Sequence, residues 1–333
     1  MSEQKSEEIS VPSSFPIASN EIPLELHFER DLTQAKAYLS PQQVFSLEGL
    51  AQLNQLSNLK GCLQLLLHLS VIVVSGFLWL SLDNLIFKIP ALIIYGFSIA
   101  SMFAALHECV HYTAFANRRL NEIIGWIAGL FSFYNSTFYR SYHQWHHRYT
   151  RLQDQDPELT DLTPINLWQY LWIISGIPWW LGKFQTHFFC AIGLFHNFPY
   201  IRENARVKIQ RSVQLQLLTY LVAIAVSFYY RQPWFVVGWL FPLAIGQPIL
   251  RFILLAEHTD CTLDANPFAN TRTTLTITPI RLLMWNMPFH AEHHFCPSIP
   301  FHALKKAHQS LLPHLKYAAN GYIKFNLALI KNF

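Results

Sequence analysis

Charge is what this chain has least of. Asp, Glu, Lys and Arg together make up 13% of its 333 residues, about half of the ~25% usual in soluble domains. A soluble fold of this length would carry a better-charged surface. With 52% hydrophobic and 15% aromatic residues, the shortage points to a membrane protein. No Lys/Arg tract occurs and the net charge is only +4, so nucleic acid is not an expected partner. Cysteine is scarce too. Cys62, Cys109, Cys190, Cys261 and Cys296 form no CxxC pair and no even framework, which argues against structural disulfides. The opening MSEQKSEEISVPSSFPIASNEIP lacks an apolar h-region, so no cleaved signal peptide is expected. Repeats of solenoid type are absent.

Long apolar runs are what the chain does have. Residues 1–22 read as a disordered tail. Residues 23–60 read as soluble or interfacial helices on the cytoplasmic side, because SLEGLAQLNQLSNL spaces its leucines helically. From 61 to 333 the chain reads as one membrane domain. Runs at 61–82, 89–106, 212–230 and 234–256 are each long enough to cross the ~30 Å hydrocarbon core. The links within each pair, DNLIFK and RQP, are too short for an external domain, so the four spans form two hairpins. Between the pairs, 123–134, 165–182 and 188–195 are short or broken, the second by Gly176 and Pro178. They read as re-entrant or surface helices, where tryptophan is favoured. Arg118, Arg119, Arg140, Arg148, Arg151, Arg202, Arg206, Lys208 and Arg211 lie on one side, against only Lys88 and Arg231 on the other. The positive-inside rule makes the richer side, with both termini, cytoplasmic.

That same side holds three histidine clusters: HECVH at 107–111, HQWHH at 143–147 and HAEHH at 290–294. On a helix, residues at i, i+3 and i+4 share one face. Each cluster is therefore expected to aim its imidazoles at one point. LLAEHTDC adds His258 just after the last span. His107, His111, His143, His146, His147, His258, His290, His293 and His294 are thus nine candidate ligands, too many for one ion and enough for two. Imidazole suits zinc, copper, iron and nickel alike. A site at the end of an apolar bundle, facing a lipid-soluble substrate, suits iron and O₂ chemistry. Neutral rings leave the cations' charge uncancelled, so nearby acids should orient the ligands and compensate it. Glu108, Asp154, Asp156, Glu257, Asp260 and Glu292 are available, and Asn286 is placed to steady a metal-bound water. His27, His68, His187, His196, His302, His308 and His314 read as ordinary packing or surface residues, as do Trp145 and Trp285; Cys109 and Cys296 read as small apolar fillers. Arg251, within the fourth run, should reach the interface or pair with an acid, since intramembrane charge is costly.

The three boxes in this order, with hydrophobic hairpins between and around them, resemble the membrane fatty acid desaturase family over residues 80–330. Its wider superfamily includes hydroxylases and carotenoid ketolases. The resemblance implies a cytoplasmic di-iron centre held by the box histidines, with His258 similar to an additional histidine after the last span. It also implies that O₂ removes two hydrogens from an unactivated acyl chain. The first box has three intervening residues rather than the four of the acyl-CoA delta-9 group. The third begins with histidine rather than the glutamine of front-end desaturases. RYTRLQDQDPEL and NTRTTLTITPIRLLMWNMPFHAEHH look most like bacterial or cyanobacterial members. No HPGG haem motif occurs, so a separate electron donor of ferredoxin or cytochrome b5 type is implied.

The expectation is an all-α integral membrane protein with four transmembrane helices and a cytoplasmic helical cap holding two metals, acting as an O₂-dependent acyl desaturase. A hydroxylase or ketolase would share the same ligands. A metal transporter, the more distant alternative, would place polar ligands midway along the spans.

Overall fold

Polar caps and run lengths decide where the helices begin and end. The structure, a computed structural model, describes residues 38–160 and 163–333. The tail expected over 1–22, and His27, lie outside the described residues. Short helices α1 (Pro41–Val44) and α2 (Leu47–Leu53) come first. The Ser57 side chain then accepts from the Lys60 amide to start α3, Asn58–Ser81, and Asn84 caps α4, Leu85–Ala100. Helix α5, Met102–His111, continues α4 almost without a break. Asn117 caps α6 (Arg118–Ser132) and Asn135 caps α7 (Ser136–Tyr149). Such side-chain acceptors satisfy amides that a helix start leaves bare. Helices α8 (Leu167–Ile174) and α9 (Ile177–Ala191) are separated by Gly176 at φ 75°. Helix α10 is Glu203–Tyr229, and a π turn over Val236–Leu240 leads into α11, Phe241–His258. Strand β1 (Thr273–Leu275), α12 (Thr278–Leu283), α13 (His290–Phe295), α14 (Phe301–Leu311), β2 (Ala318–Asn320) and α15 (Tyr322–Lys331) complete the chain.

Four helices are long and apolar enough to cross a bilayer: 58–81, 85–111, 203–229 and 236–258. All four expected spans are present, each extended beyond its apolar run. The span 85–111 is central, with 72% of its most apolar window buried, whereas 58–81 and 203–229 leave most of theirs on the outer surface. At 1.5 Å per residue, 27 residues reach about 40 Å, longer than the ~30 Å core. The last turns of this span, which carry the first box, thus have length to stand clear of an apolar layer.

Helices α4 and α11 pack against each other through glycines. A Cβ built on Gly96 would lie 2.3 Å from the Pro242 carbonyl oxygen, and one on Gly246 would lie 2.0 Å from that of Gly96. Only glycine permits that approach, the small-residue contact by which helices associate in lipid. The contact also fixes register. His107 follows Gly96 by eleven residues and His258 follows Gly246 by twelve, so two parallel helices finish at one level with a histidine each.

The remaining elements differ from expectation in instructive ways. Helix α6 doubles back along α5, so closely that a Cβ on Gly125 would sit 2.9 Å from the Cβ of Cys109. Arg251 neither reaches an acid nor stands free. It donates to the Tyr134 hydroxyl at 3.1 Å and lies over the Trp179 ring, a phenol and a π face replacing the expected counter-ion. Helices α1 and α2 are not separate from the body, because Phe45 and Leu53 join the core formed by Leu304, Ala307 and Leu311. Among the described residues the regular structure is helical except for one two-stranded parallel ladder, Thr273–Leu275 against Ala318–Asn320. That ladder presents Thr273 to the third box. An apolar groove of about 650 Å³ between α3 and α4 has no clustered histidine in its wall.

Candidate metal centre

The nine candidate histidines come from four elements and meet at one end of the bundle. Helix α5 brings His107 and His111; α7 brings His143, His146 and His147; α11 ends in His258; α13 carries His290, His293 and His294. They do not converge on a single point. His107, His111, His143, His147 and His293 form one set, and His146, His258 and His294 another, with ligand atoms inside each set within 4.8 Å of one another. His290 joins the second, its Nε2 being 3.2 Å from that of His258 and 3.2 Å from that of His294. The rings of His147 and His294 stack at 4.2 Å, so the sets adjoin.

This division corrects the expectation that each box serves one point. Residues at i and i+4 are about 40° apart around a helix, but i+3 and i+4 are about 100° apart. His143 and His147 therefore stay together while His146 turns to the other set. In the third box His290 and His294 stay together and His293 turns away.

Hydrogen bonding fixes the tautomers of three rings in the second set. His258 Nδ1 lies 3.0 Å from the Asn270 carbonyl, which can only accept, so Nδ1 carries the proton. Thr150 gives its hydroxyl proton to the His146 carbonyl at 2.7 Å, so its oxygen accepts from His294 Nδ1 at 3.2 Å. His146 Nδ1 donates to Asp156 at 2.8 Å. Each neutral ring is left with a lone pair on Nε2. For His146, burial lowers the pKa but the Glu158 charge and the Asp156 bond outweigh it, and the net shift is upward. Burial would raise Asp156; the His146 bond and the amides of Arg151 and Glu158 hold it below its usual value. His143, His147, His290, His293 and His294 are all pushed well below 6.5, by burial first and then by one another. That keeps them neutral, the form that binds metal.

The residues fit two cations. Donor atoms ~2.1 Å from one ion, at tetrahedral or octahedral angles, lie roughly 3.0–3.4 Å apart. The Nε2 of His147 is 3.0 Å from that of His143 and 3.1 Å from that of His293. A single ring nitrogen has one proton or one lone pair, so it cannot satisfy both neighbours. The same holds for His290 between His258 and His294. Both nitrogens of His107, Nε2 of His111 and His146, and Nδ1 of His147, His290 and His293 are buried without hydrogen-bond partners. An ion takes one nitrogen per ring, so it would account for Nε2 of His111 and His146 and one nitrogen of His107, atoms costly to leave bare when buried.

The acids behave unequally. Asp156 orients His146, and Glu257 Oε2 lies 3.5 Å from His290 Nε2. Glu108 accepts from Thr113 and the Phe301 amide, with Oε1 3.7 Å from His107 Nδ1. Glu292 turns away from the rings to Thr273 and to His308, the latter at 2.5 Å. Asp154 is exposed on a turn at φ 61° and stands outside both sets. Asn286 donates instead to the Phe301 carbonyl at 2.9 Å. Glu158, within the DQDPEL already quoted but not singled out, brings Oε2 to 3.5 Å from His146 Nε2. His308 is not an ordinary packing residue, since it pairs with the glutamate inside the third box. His68 is likewise more than filler: its Nδ1 accepts from Trp285 Nε1 at 3.1 Å, tying α3 to the segment before that box. Thr150 and Asn270 had no detectable signal, because their roles rest on a shared hydroxyl and a main-chain carbonyl.

Residues 84–326 match the family described as "Fatty acid desaturase". The chain belongs to the fatty acid desaturase family. It is similar to a protein of Picosynechococcus sp. named sn-1 oleoyl-lipid 12-desaturase, 25% identical over 244 residues, covering 67% of this chain and 68% of that one. A Synechocystis sp. protein of the same name is 24% identical over 234 residues, 65% of this chain and 66% of its own. The matches thus span about two thirds of each relative. The expected likeness to bacterial and cyanobacterial desaturases is borne out, and the chain is an oxidoreductase of this membrane-bound family.

Proposed function

We propose that the protein introduces a carbon–carbon double bond into a fatty acyl chain carried on a membrane lipid. The observation that carries this reading is the meeting of nine imidazoles in two adjoining sets at the level end of two parallel spans. One iron would be held by His107, His111, His143, His147 and His293, the other by His146, His258, His290 and His294. Bound there, the irons would supply the activation of O₂ needed to remove two hydrogens from an unactivated carbon chain, with electrons from a separate ferredoxin or cytochrome b5-type donor. The chain's own residues do the rest. Asp156, Asn270 and Thr150 set the ring tautomers so that Nε2 faces the centre. Burial favours the neutral, metal-binding form of His143, His147, His290, His293 and His294. The names of the relatives support a lipid-borne acyl chain and favour desaturation over hydroxylation or ketone formation, for which the same ligands would serve.

Protein kept reduced should hold two irons per chain, and a host expressing it should gain a double bond in its acyl lipids by mass spectrometry. One zinc per chain with iron absent and activity retained would remove the di-iron reading. A hydroxylated or keto product would replace the desaturase reading. The basic loops support a cytoplasmic side for the centre and both termini. Tags at the C-terminus and at position 160 should then be reached only from the cytoplasm, and a tag at 160 reached from the other face would overturn that orientation.

A further inference from the structure

The two sets of rings differ in the acids beside them. Around the five-histidine set the nearest carboxylate is Glu108, 3.7 Å from an Nδ1 and itself held by Thr113 and the Phe301 amide. Around the other set two carboxylates approach ligand nitrogens directly: Glu257 Oε2 at 3.5 Å from His290 Nε2, and Glu158 Oε2 at 3.5 Å from His146 Nε2. Glu257 is the more enclosed, its side chain 13% exposed against 31% for Glu158. It stands directly before His258 at the end of α11, and its other oxygen, Oε1, is buried with no hydrogen-bond partner. Among the described residues its only ion-pair contact is the His290 ring.

A buried carboxylate with a bare oxygen is costly when the nearest fixed cation, here Arg251, acts only from beyond ion-pair distance. A divalent ion at the neighbouring lone pairs removes that cost. The 3.5 Å separation lies close to the roughly 3.0–3.4 Å expected of two donors sharing one ion. Charge argues the same way, since nine neutral imidazoles cancel none of the charge of two divalent ions in a water-poor site. We propose that Glu257 is a ligand of the ion held by His146, His258, His290 and His294, so that the centre pairs an all-imidazole iron with an imidazole–carboxylate iron. The inference rests on the di-iron reading and deepens it. Glu158, nearer solvent, approaches the same ring set at His146 and is the weaker of the two acids.

The test is iron content and spectroscopy of full-length protein loaded anaerobically with ⁵⁷Fe. Wild type should hold two irons and give two unlike Mössbauer signals of equal area. Glu257→Gln, nearly the same shape, should keep about one iron, with affinity for the second lowered at least 10–100-fold. The signal that survives should be that of the all-imidazole site. Glu257→Asp should recover part of the loss, and Glu158→Gln should lose less than Glu257→Gln. Two irons bound by Glu257→Gln with wild-type affinity and spectrum would overturn the proposal. So would two indistinguishable irons in the wild type, a result independent of whether any variant folds. Fewer than two irons in the wild type would instead bring down the di-iron reading beneath it.

Discussion

His293→Ala is expected to yield a protein that inserts and folds, binds less iron and forms no detectable unsaturated product. Its ring lies 4.5 Å from those of His107 and His111 and 4.8 Å from that of His147, and its Nε2 is 3.1 Å from the Nε2 of His147. Removing it takes one donor from the five-ring set and lets its neighbours relax into the space. Loss of a group that merely supports a ligand costs about 10–100-fold in affinity or activity, and loss of the ligand itself should cost more. Relief of the crowding among ring nitrogens offsets part of the packing loss, so folding should survive. His196→Ala is the matching control, because that ring is exposed and touches only the edge of Phe189 at 6.3 Å. Iron content, lipid profile and membrane yield of the two variants make the comparison. Equal iron and equal product in both would mean that the third box does not hold the metal.

His308→Ala should be the most destabilising of the histidine changes outside the boxes. Glu292 is 0% exposed, and its two oxygens are taken by His308 and by Thr273 of β1. Removing one partner of a buried, hydrogen-bonded carboxylate costs about 3 kcal/mol or more, because one oxygen is left unsatisfied. The Thr273 bond remains, so the low end, about 3 kcal/mol, is the expected loss. The consequence is local as well as global. Glu292 lies between His290 and His293 on α13, and its anchoring sets the helix that aims His293 at one set and His290 and His294 at the other. Product formation should therefore fall with stability. His308→Gln, which still presents a donor, should recover much of both. Thermal unfolding in detergent, read beside lipid profiles, makes the measurement. A melting temperature for His308→Ala within a degree of wild type would show that the pair carries no load.

Two kinds of information separate here. The sequence by itself determined the four spans, because length and apolarity are local properties and a bilayer leaves a 20-residue apolar run little alternative to a helix. It determined the helical faces of the boxes for the same reason, and the number of histidines available for metal. The family was legible in the three boxes and their order. The tertiary structure alone decided how the rings divide. Whether His146 joins His143 or His258 depends on how α7 is rotated against α11, and no spacing within one helix records that. It also decided which acids matter. Asp154 and Asp156 look alike two residues apart, yet one ends a turn in solvent while the other caps the loop and receives His146. His308 lay hidden because its partner is sixteen residues away, reached across the joint between α13 and α14. The level ends of α5 and α11 follow from Gly96 meeting Gly246, a contact between segments 150 residues apart in the chain. Local patterns set which groups exist and which way they face on their own helix; packing between helices sets which of them share an ion.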